Sequence, residues 1–165
     1  FDVGIKAFQI LVRSNNKMKL IIAGYGKQFS VLKAITKELE IEQNVEFIKG
    51  PHPAEVLKLM RQSSVVLVPS KAEEGFSLVA AEAALCERPV VATSIGGLPE
   101  TVEDGISGYI VEPDNEFEIA EVLKELHANP VLRKDIGEKA RIRAEKEFSM
   151  SKFANEINSI YKNLI

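Results

Sequence analysis

Two glutamates and one short turn carry the chemistry that can be read from this sequence. The turn is Glu73-Glu74-Gly75-Phe76-Ser77, and the second glutamate is Glu82, inside the apolar stretch Leu78 to Cys86. If that stretch is a helix, the residues sharing a face with Glu82 are Leu78, Val79, Leu85 and Cys86, none of them polar. A helix that is apolar all round is expected to be buried, and a buried carboxylate is costly unless a donor meets it. The donor comes either from the fold or from a ligand hydroxyl; the other reading is a glutamate exposed at the helix end.

The turn leaves the strand-like run Ser64 to Val68 and enters the helix near Ser77. Unpaired backbone N–H groups and the positive end of the helix dipole gather at such a place, and Gly75 lets a ligand approach the main chain closely. Those are the requirements of a phosphate site. Glu73 and Glu74 are equally suited to complementing the helix dipole from its start.

The run Glu74-Gly75-Phe76-Ser77-Leu78-Val79-Ala80-Ala81-Glu82-Ala83 is followed by Arg88-Pro89-Val90-Val91-Ala92-Thr93 and Gly96-Gly97-Leu98-Pro99-Glu100. This series resembles the signature of the retaining nucleotide-sugar glycosyltransferases of the large family-four group, in the donor-binding C-terminal half of their GT-B fold. Val45 to Gly50, Val68-Pro69-Ser70, Asp104-Gly105-Ile106-Ser107-Gly108-Tyr109-Ile110-Val111 and Glu147-Phe148-Ser149 fall in the same order. The resemblance covers essentially the whole chain. A lone pair of glutamates at this spacing would be weak, whereas the ordered series is specific.

Composition fits one globular domain. The 165 residues are 45% hydrophobic and 27% charged, which suits a chain with a substantial core. A net charge of −3 leaves no electrostatic footprint for nucleic acid or an anionic membrane. No apolar run is long enough to span a bilayer and no signal-peptide pattern is present. The single cysteine, Cys86, reads as a small buried hydrophobe, and the expected compartment is the cytoplasm, or the cytoplasmic face of a membrane reached through another part of the protein. Residue 1 is Phe, and the resemblance implies that the acceptor-binding N-terminal domain and a basic turn that clamps the donor diphosphate are absent from this chain, as in a domain or fragment.

Strands and helices alternate, the pattern of a Rossmann-like α/β fold with a parallel sheet and helices on both faces. Strands are expected at Lys17–Ala23, Val45–Ile48, Val65–Val68, Pro89–Ala92 and Tyr109–Val111. An amphipathic helix opens the chain, others follow at Phe29–Glu40 and Pro53–Arg61, and three close it at about Glu116–His127, Val131–Glu147 and Ser151–Lys162. On the last, Phe153, Ile157, Ile160 and Leu164 suit either a domain interface or packing on this domain.

Gly24-Tyr25-Gly26 after the first strand is half of a dinucleotide fingerprint. Position 29 is Phe where the third glycine belongs, and the second strand ends Phe47-Ile48-Lys49 without the ribose-binding acid, which argues against a nicotinamide cofactor. With one cysteine and two isolated histidines, His52 and His127, no metal-site spacing exists, and Cys86 has no base partner. No cofactor and no metal are expected, in keeping with the resembled fold. Glu100 and Glu103 are expected to support the helix start after Pro99.

The resemblance implies a role for each matched residue. Glu82 would accept from the ribose hydroxyls of the nucleotide, where a two-oxygen acceptor meets two adjacent O–H donors. Glu74, the catalytic-site candidate, would contact hydroxyls of the transferred sugar. Backbone N–H groups around Gly75, Phe76, Ser77 and Leu78 would hold the distal phosphate. Ile48, Pro69 and Ser70 would line the base pocket, Gly24 and Gly26 would lie beside the donor, and Gly96 and Gly97 would let a turn pass close to it or form a plain tight turn.

The implied reaction is transfer of a sugar, of hexosyltransferase type, from a nucleoside-diphosphate sugar to a hydroxyl acceptor (glycan, lipid or small molecule) with retention of configuration. Such chemistry serves polysaccharide or glycoconjugate synthesis. The chain alone is expected to bind nucleotide and catalyse nothing. The alternatives are a non-catalytic nucleotide- or protein-binding module on the same fold, and a GT-B sugar-nucleotide epimerase or glucan synthase.

Overall fold

A computed structural model describes residues 1–72 and 74–164. The helix-start role expected of Glu73 therefore lies outside the described residues. Helix α1 (Asp2–Ser14) places Val3, Ile5, Ala7, Phe8, Leu11 and Val12 on one buried face. Strand β1 (Leu20–Gly24) begins later than the expected Lys17 because a turn takes up the residues after α1, the Lys17 N–H donating to Asn15 Oδ1 at 3.1 Å. Helix α2 (Phe29–Glu38), a short 3-10 turn (Glu42–Asn44), β2 (Val45–Lys49), α3 (Pro53–Gln62) and β3 (Val66–Val68) follow. Then come α4 (Leu78–Leu85), β4 (Val90–Thr93), one extra turn of helix α5 (Leu98–Thr101) and β5 (Gly108–Val111). Helices α6 (Glu116–Ala128), α7 (Pro130–Glu147) and α8 (Met150–Leu164) complete the chain.

Every strand pairing is parallel, as the alternation of strands and helices dictates. Hydrogen bonds divide the strands into two groups, β1–β2 and β3–β4–β5, where the sequence suggests one sheet. The second group is covered on both faces. Val90 and Ala92 pack with Met60, Ala80 and Ala83 from α3 and α4, while Val91 and Val111 pack with Val3, Ile119, Leu126 and Ile136 from α1, α6 and α7. All four residues of β4 are buried, as a doubly covered central strand requires. Strand β1 differs: Leu20, Ile22 and Gly24 are half-buried, whereas Ile21 and Ala23 are exposed. Its inner face joins Phe8, Leu11, Leu32 and Ile41 in a third cluster.

Helix α1 bridges the two groups and fixes their direction. Its first turn is tied to the loop after β3 by the Lys71–Asp2 ion pair at 2.9 Å. Beyond its far end, Asn44 Nδ2, next to the start of β2, donates to the carbonyls of Asn16 and Met18 at 2.7 and 3.0 Å. The carboxyl ends of β1 and β3 therefore lie on the same edge, where ligands meet open α/β sheets. No helix among the described residues is long and apolar enough to cross a membrane. Helix α8 buries no residue: Phe153, Ile157, Ile160 and Leu164 are all exposed, so this face does not pack on the domain.

Candidate functional site

The helix carrying Glu82 is not buried all round, contrary to the expectation from its hydropathy. Helix α4 buries Ala80, Ala81, Ala83 and Ala84, while Leu78, Val79 and Leu85 are 67%, 44% and 49% exposed. Alanines allow the helix to sit close on β3 and β4 and against Ala140 and Ala144 of α7, so the larger apolar side chains point away. Cys86 is buried, as expected. Glu82 is half-buried, and among the described residues nothing donates to its carboxylate. It opens into a cleft of about 400 Å³ walled by Phe76, Leu78, Leu85, Phe148 and Ser149.

The start of α4 is capped from within. Ser77, fully buried, accepts from the Ala80 N–H on its hydroxyl at 3.3 Å. Among the described residues, none accepts from the N–H groups of Gly75, Phe76, Ser77 or Leu78. Gly75 and Phe76 are exposed, and the Phe76 ring meets Phe148 edge to face at 5.1 Å between centroids. One helix start thus presents donors and the positive end of a dipole beside a carboxylate, neither of them partnered among the described residues.

Glu74 is half-buried and held by neighbours on two strands' ends. Ser70 Oγ donates to Glu74 Oε2 at 2.9 Å, and the Thr93 hydroxyl, at the end of β4, donates to the Ser70 carbonyl at 2.8 Å. The Gly97 N–H donates to the Glu74 carbonyl at 2.6 Å. A Cβ on Gly96 would stand 2.3 Å from that carbonyl oxygen, and one on Gly97 would stand 1.8 Å from the Gly75 oxygen. The two glycines thus serve the close approach of two protein loops, which neither a plain turn nor ligand clearance alone explains. Pro69 is buried just before Ser70.

Gly24, Gly26 and Ile48 form a separate group on β1–β2. Ile48 pairs with Ala23, and the Gly50 N–H donates to the Gly24 carbonyl at 3.1 Å. Among the described residues no hydrogen bond joins this group to Glu74 or Glu82. His52 is the N-cap of α3, its Nδ1 accepting from the Ala54 N–H, and His127 meets Asn15. Glu103 pairs with Arg143 of α7 at 3.1 Å, where a helix-start role is expected from the sequence. The difference arises because α7 packs beside this turn and brings its guanidinium within reach.

Sequence reasoning assigned no site role to Thr93, Phe148 or Ser149. Thr93 carried one weak signal, a hydroxyl at the carboxyl end of an otherwise apolar strand. Phe148 and Ser149 reach the cleft through the packing of α7 on α4, for which local sequence holds no cue.

Comparison with known proteins gives the family. Residues 1–143 match the family described as Glycosyl transferases group 1. An uncharacterized glycosyltransferase of Methanocaldococcus jannaschii is 40% identical over 87% of this chain and 40% of its own length. The D-inositol 3-phosphate glycosyltransferase of Corynebacterium jeikeium is 37% identical over 84% of this chain and 33% of its own. Among solved structures, Anabaena HepE in complex with UDP-glucose superimposes with a TM-score of 0.86 at 25% identity, covering 98% of this chain and 44% of that one. The chain therefore spans less than half the length of these relatives. With a parallel α/β fold that matches the C-terminal domain of GT-B enzymes, this chain belongs to the group 1 glycosyltransferases.

Proposed function

We propose that the chain is the donor-binding domain of a retaining glycosyltransferase of the family-four type. The observation that carries this reading is the meeting at one helix start of the N–H groups of Gly75 to Leu78, which no described residue accepts from, with the half-buried carboxylate of Glu82, to which no described residue donates. A nucleoside diphosphate offers what each lacks: phosphate oxygens for the N–H groups and ribose hydroxyls for the carboxylate. That HepE is seen with UDP-glucose supports a nucleotide sugar as the partner.

In this reading Glu74 meets hydroxyls of the transferred sugar. The bond between the anomeric carbon and the diphosphate oxygen breaks, and the acceptor oxygen bonds to the same face. The acceptor's proton passes to the departing phosphate, whose charge is stabilised at the start of α4. Neither a cofactor nor a metal takes part. The acceptor, a glycan, lipid or small molecule, is bound by polypeptide outside residues 1–165, in the cytoplasm or at the cytoplasmic face of a membrane. The isolated chain consequently binds nucleotide without transferring sugar.

Calorimetric or NMR titration with UDP, GDP and ADP tests this reading. One nucleotide is expected to bind, and Glu82→Ala to abolish that binding. Binding indifferent to Glu82→Ala overturns the site assignment, and sugar transfer by the isolated chain overturns its dependence on a second domain.

A further inference from the structure

We infer that Ser70 and Thr93 are positioning residues that set the carboxylate of Glu74 for the sugar; the inference rests on the donor-site reading above. Glu74 has two functions open to it at the start of a helix, complementing the dipole or facing a ligand. The closest form of the first is a hydrogen bond from an N–H at the start of α4, and among the described residues none from Gly75 to Leu78 donates to this carboxylate. The cap is Ser77 instead. The Glu74 carboxylate turns back toward β3, where Ser70 Oγ takes Oε2 at 2.9 Å.

Ser70 is itself fixed. Thr93, fully buried at the end of the central strand β4, donates to the Ser70 carbonyl at 2.8 Å. The other end of Glu74 is fixed by the Gly97 N–H, 2.6 Å from its carbonyl. The glutamate is thus held at its main chain by the N-cap of α5 and at one carboxylate oxygen by Ser70, itself tied to the end of β4. A long, flexible side chain loses rotamer freedom whenever it binds a ligand, and a brace that has already removed that freedom leaves the contact stronger. Among the described residues no donor reaches Oε1, so this oxygen is the one presented to a sugar hydroxyl.

The test compares each nucleotide with its sugar conjugate on the same chain, using UDP against UDP-glucose and GDP against GDP-mannose. Glu74 touches only the sugar in this arrangement, so the brace affects the conjugate more than the plain nucleotide. Ser70→Ala is expected to weaken the conjugate about tenfold, the loss of one hydrogen bond to a charged group, and to weaken it by more than the plain nucleotide. Ser70→Thr keeps the hydroxyl and restores the affinity. Thr93→Val weakens the conjugate roughly threefold through the looser Ser70, and Thr93→Ser restores it. Glu74→Gln sets the scale of the full sugar contact. A variant that only damaged the fold would weaken nucleotide and conjugate by the same factor, and that outcome overturns the inference. So does an unchanged conjugate in Ser70→Ala where Glu74→Gln weakens it. Failure of the unmodified chain to bind any of these nucleotides overturns the donor-site reading instead, and the inference falls with it.

Discussion

The Gly97 N–H lies 2.6 Å from the Glu74 carbonyl oxygen, so the turn after β4 is fastened to the loop after β3 through the main chain alone. That contact has room for no Cβ at either glycine of the turn. Gly96 also holds φ at +54°, a conformation that L side chains rarely adopt. Gly96→Ala and Gly97→Ala are each expected to cost about 1–3 kcal/mol, with Gly97→Ala the worse because its Cβ would meet a carbonyl oxygen at 1.8 Å. Thermal unfolding followed by circular dichroism measures the loss. A melting temperature unchanged in both variants would show that the two loops are not in contact.

Ser77 caps α4 from a fully buried position, so its removal costs more than a missing hydroxyl on the surface. Ser77→Ala is expected to destabilise the domain by about 1 kcal/mol, and Ser77→Thr by less. Denaturant titration gives both values. If α4 draws its stability wholly from its alanine face, the two variants will be indistinguishable from the parent.

Most of the secondary structure was legible because each element announces itself locally. The strands are short apolar runs bounded by glycine, proline or polar residues, and the long helices keep apolar residues at helical spacing. The start of α4 next to Ser77 is legible for the same reason. The exposure of α4 is not legible because hydropathy treats alanine and leucine alike, while packing distance separates them: Ala80 and Ala83 face the sheet, Ala84 faces α7, and three large residues face out. The contact of Glu74 with Gly97 is invisible in the sequence because it joins segments whose proximity exists only after β3 and β4 pair, whereas Ser70 meets Glu74 within one loop, four residues apart. Phe148 enters the cleft for an equally non-local reason, the docking of α7 on α4.

Lys71 links the start of α1 to the turn after β5 through Asp2 and Asp114. Burial alone would raise the Asp2 carboxyl, but the Lys71 hydrogen bond and charge, with the Val3 N–H, hold it below its ordinary 3.8. A lowered value in the folded chain means that the contribution of Asp2 is full above pH 3.8 and is lost as pH falls through the folded value. Lys71 is raised above 10.5, first by Asp114 and then by Asp2, so its contribution is full below pH 10.5 and is lost as pH rises through the folded value. All three side chains are partly exposed, so Lys71→Ala is expected to cost no more than about 1 kcal/mol at neutral pH, and less in high salt. The difference from the parent should close at both extremes of pH. A gap that persists into strong acid would place the effect of Lys71 outside these ion pairs.

The division of the strands into two groups leaves an edge of β1 and an edge of β3 without a neighbour. The register identifies the groups on those edges. The Gly24 carbonyl accepts from the Gly50 N–H, so Gly24, Ile22 and Leu20 face β2, and the alternation of a strand turns Ile21 and Ala23 the other way. The Val66 N–H donates to the Pro89 carbonyl, so Val66 and Val68 face β4 and Leu67 faces away. Amide hydrogen exchange at single-residue resolution should therefore alternate along both strands. Ile21, Ala23 and Leu67 are expected to exchange at least about tenfold faster than Ile22 and Val66, because unpaired edge amides need no opening of the ladder. Equal protection at neighbouring positions would mean that β1 and β3 share a ladder in solution, and that the five strands form one continuous sheet.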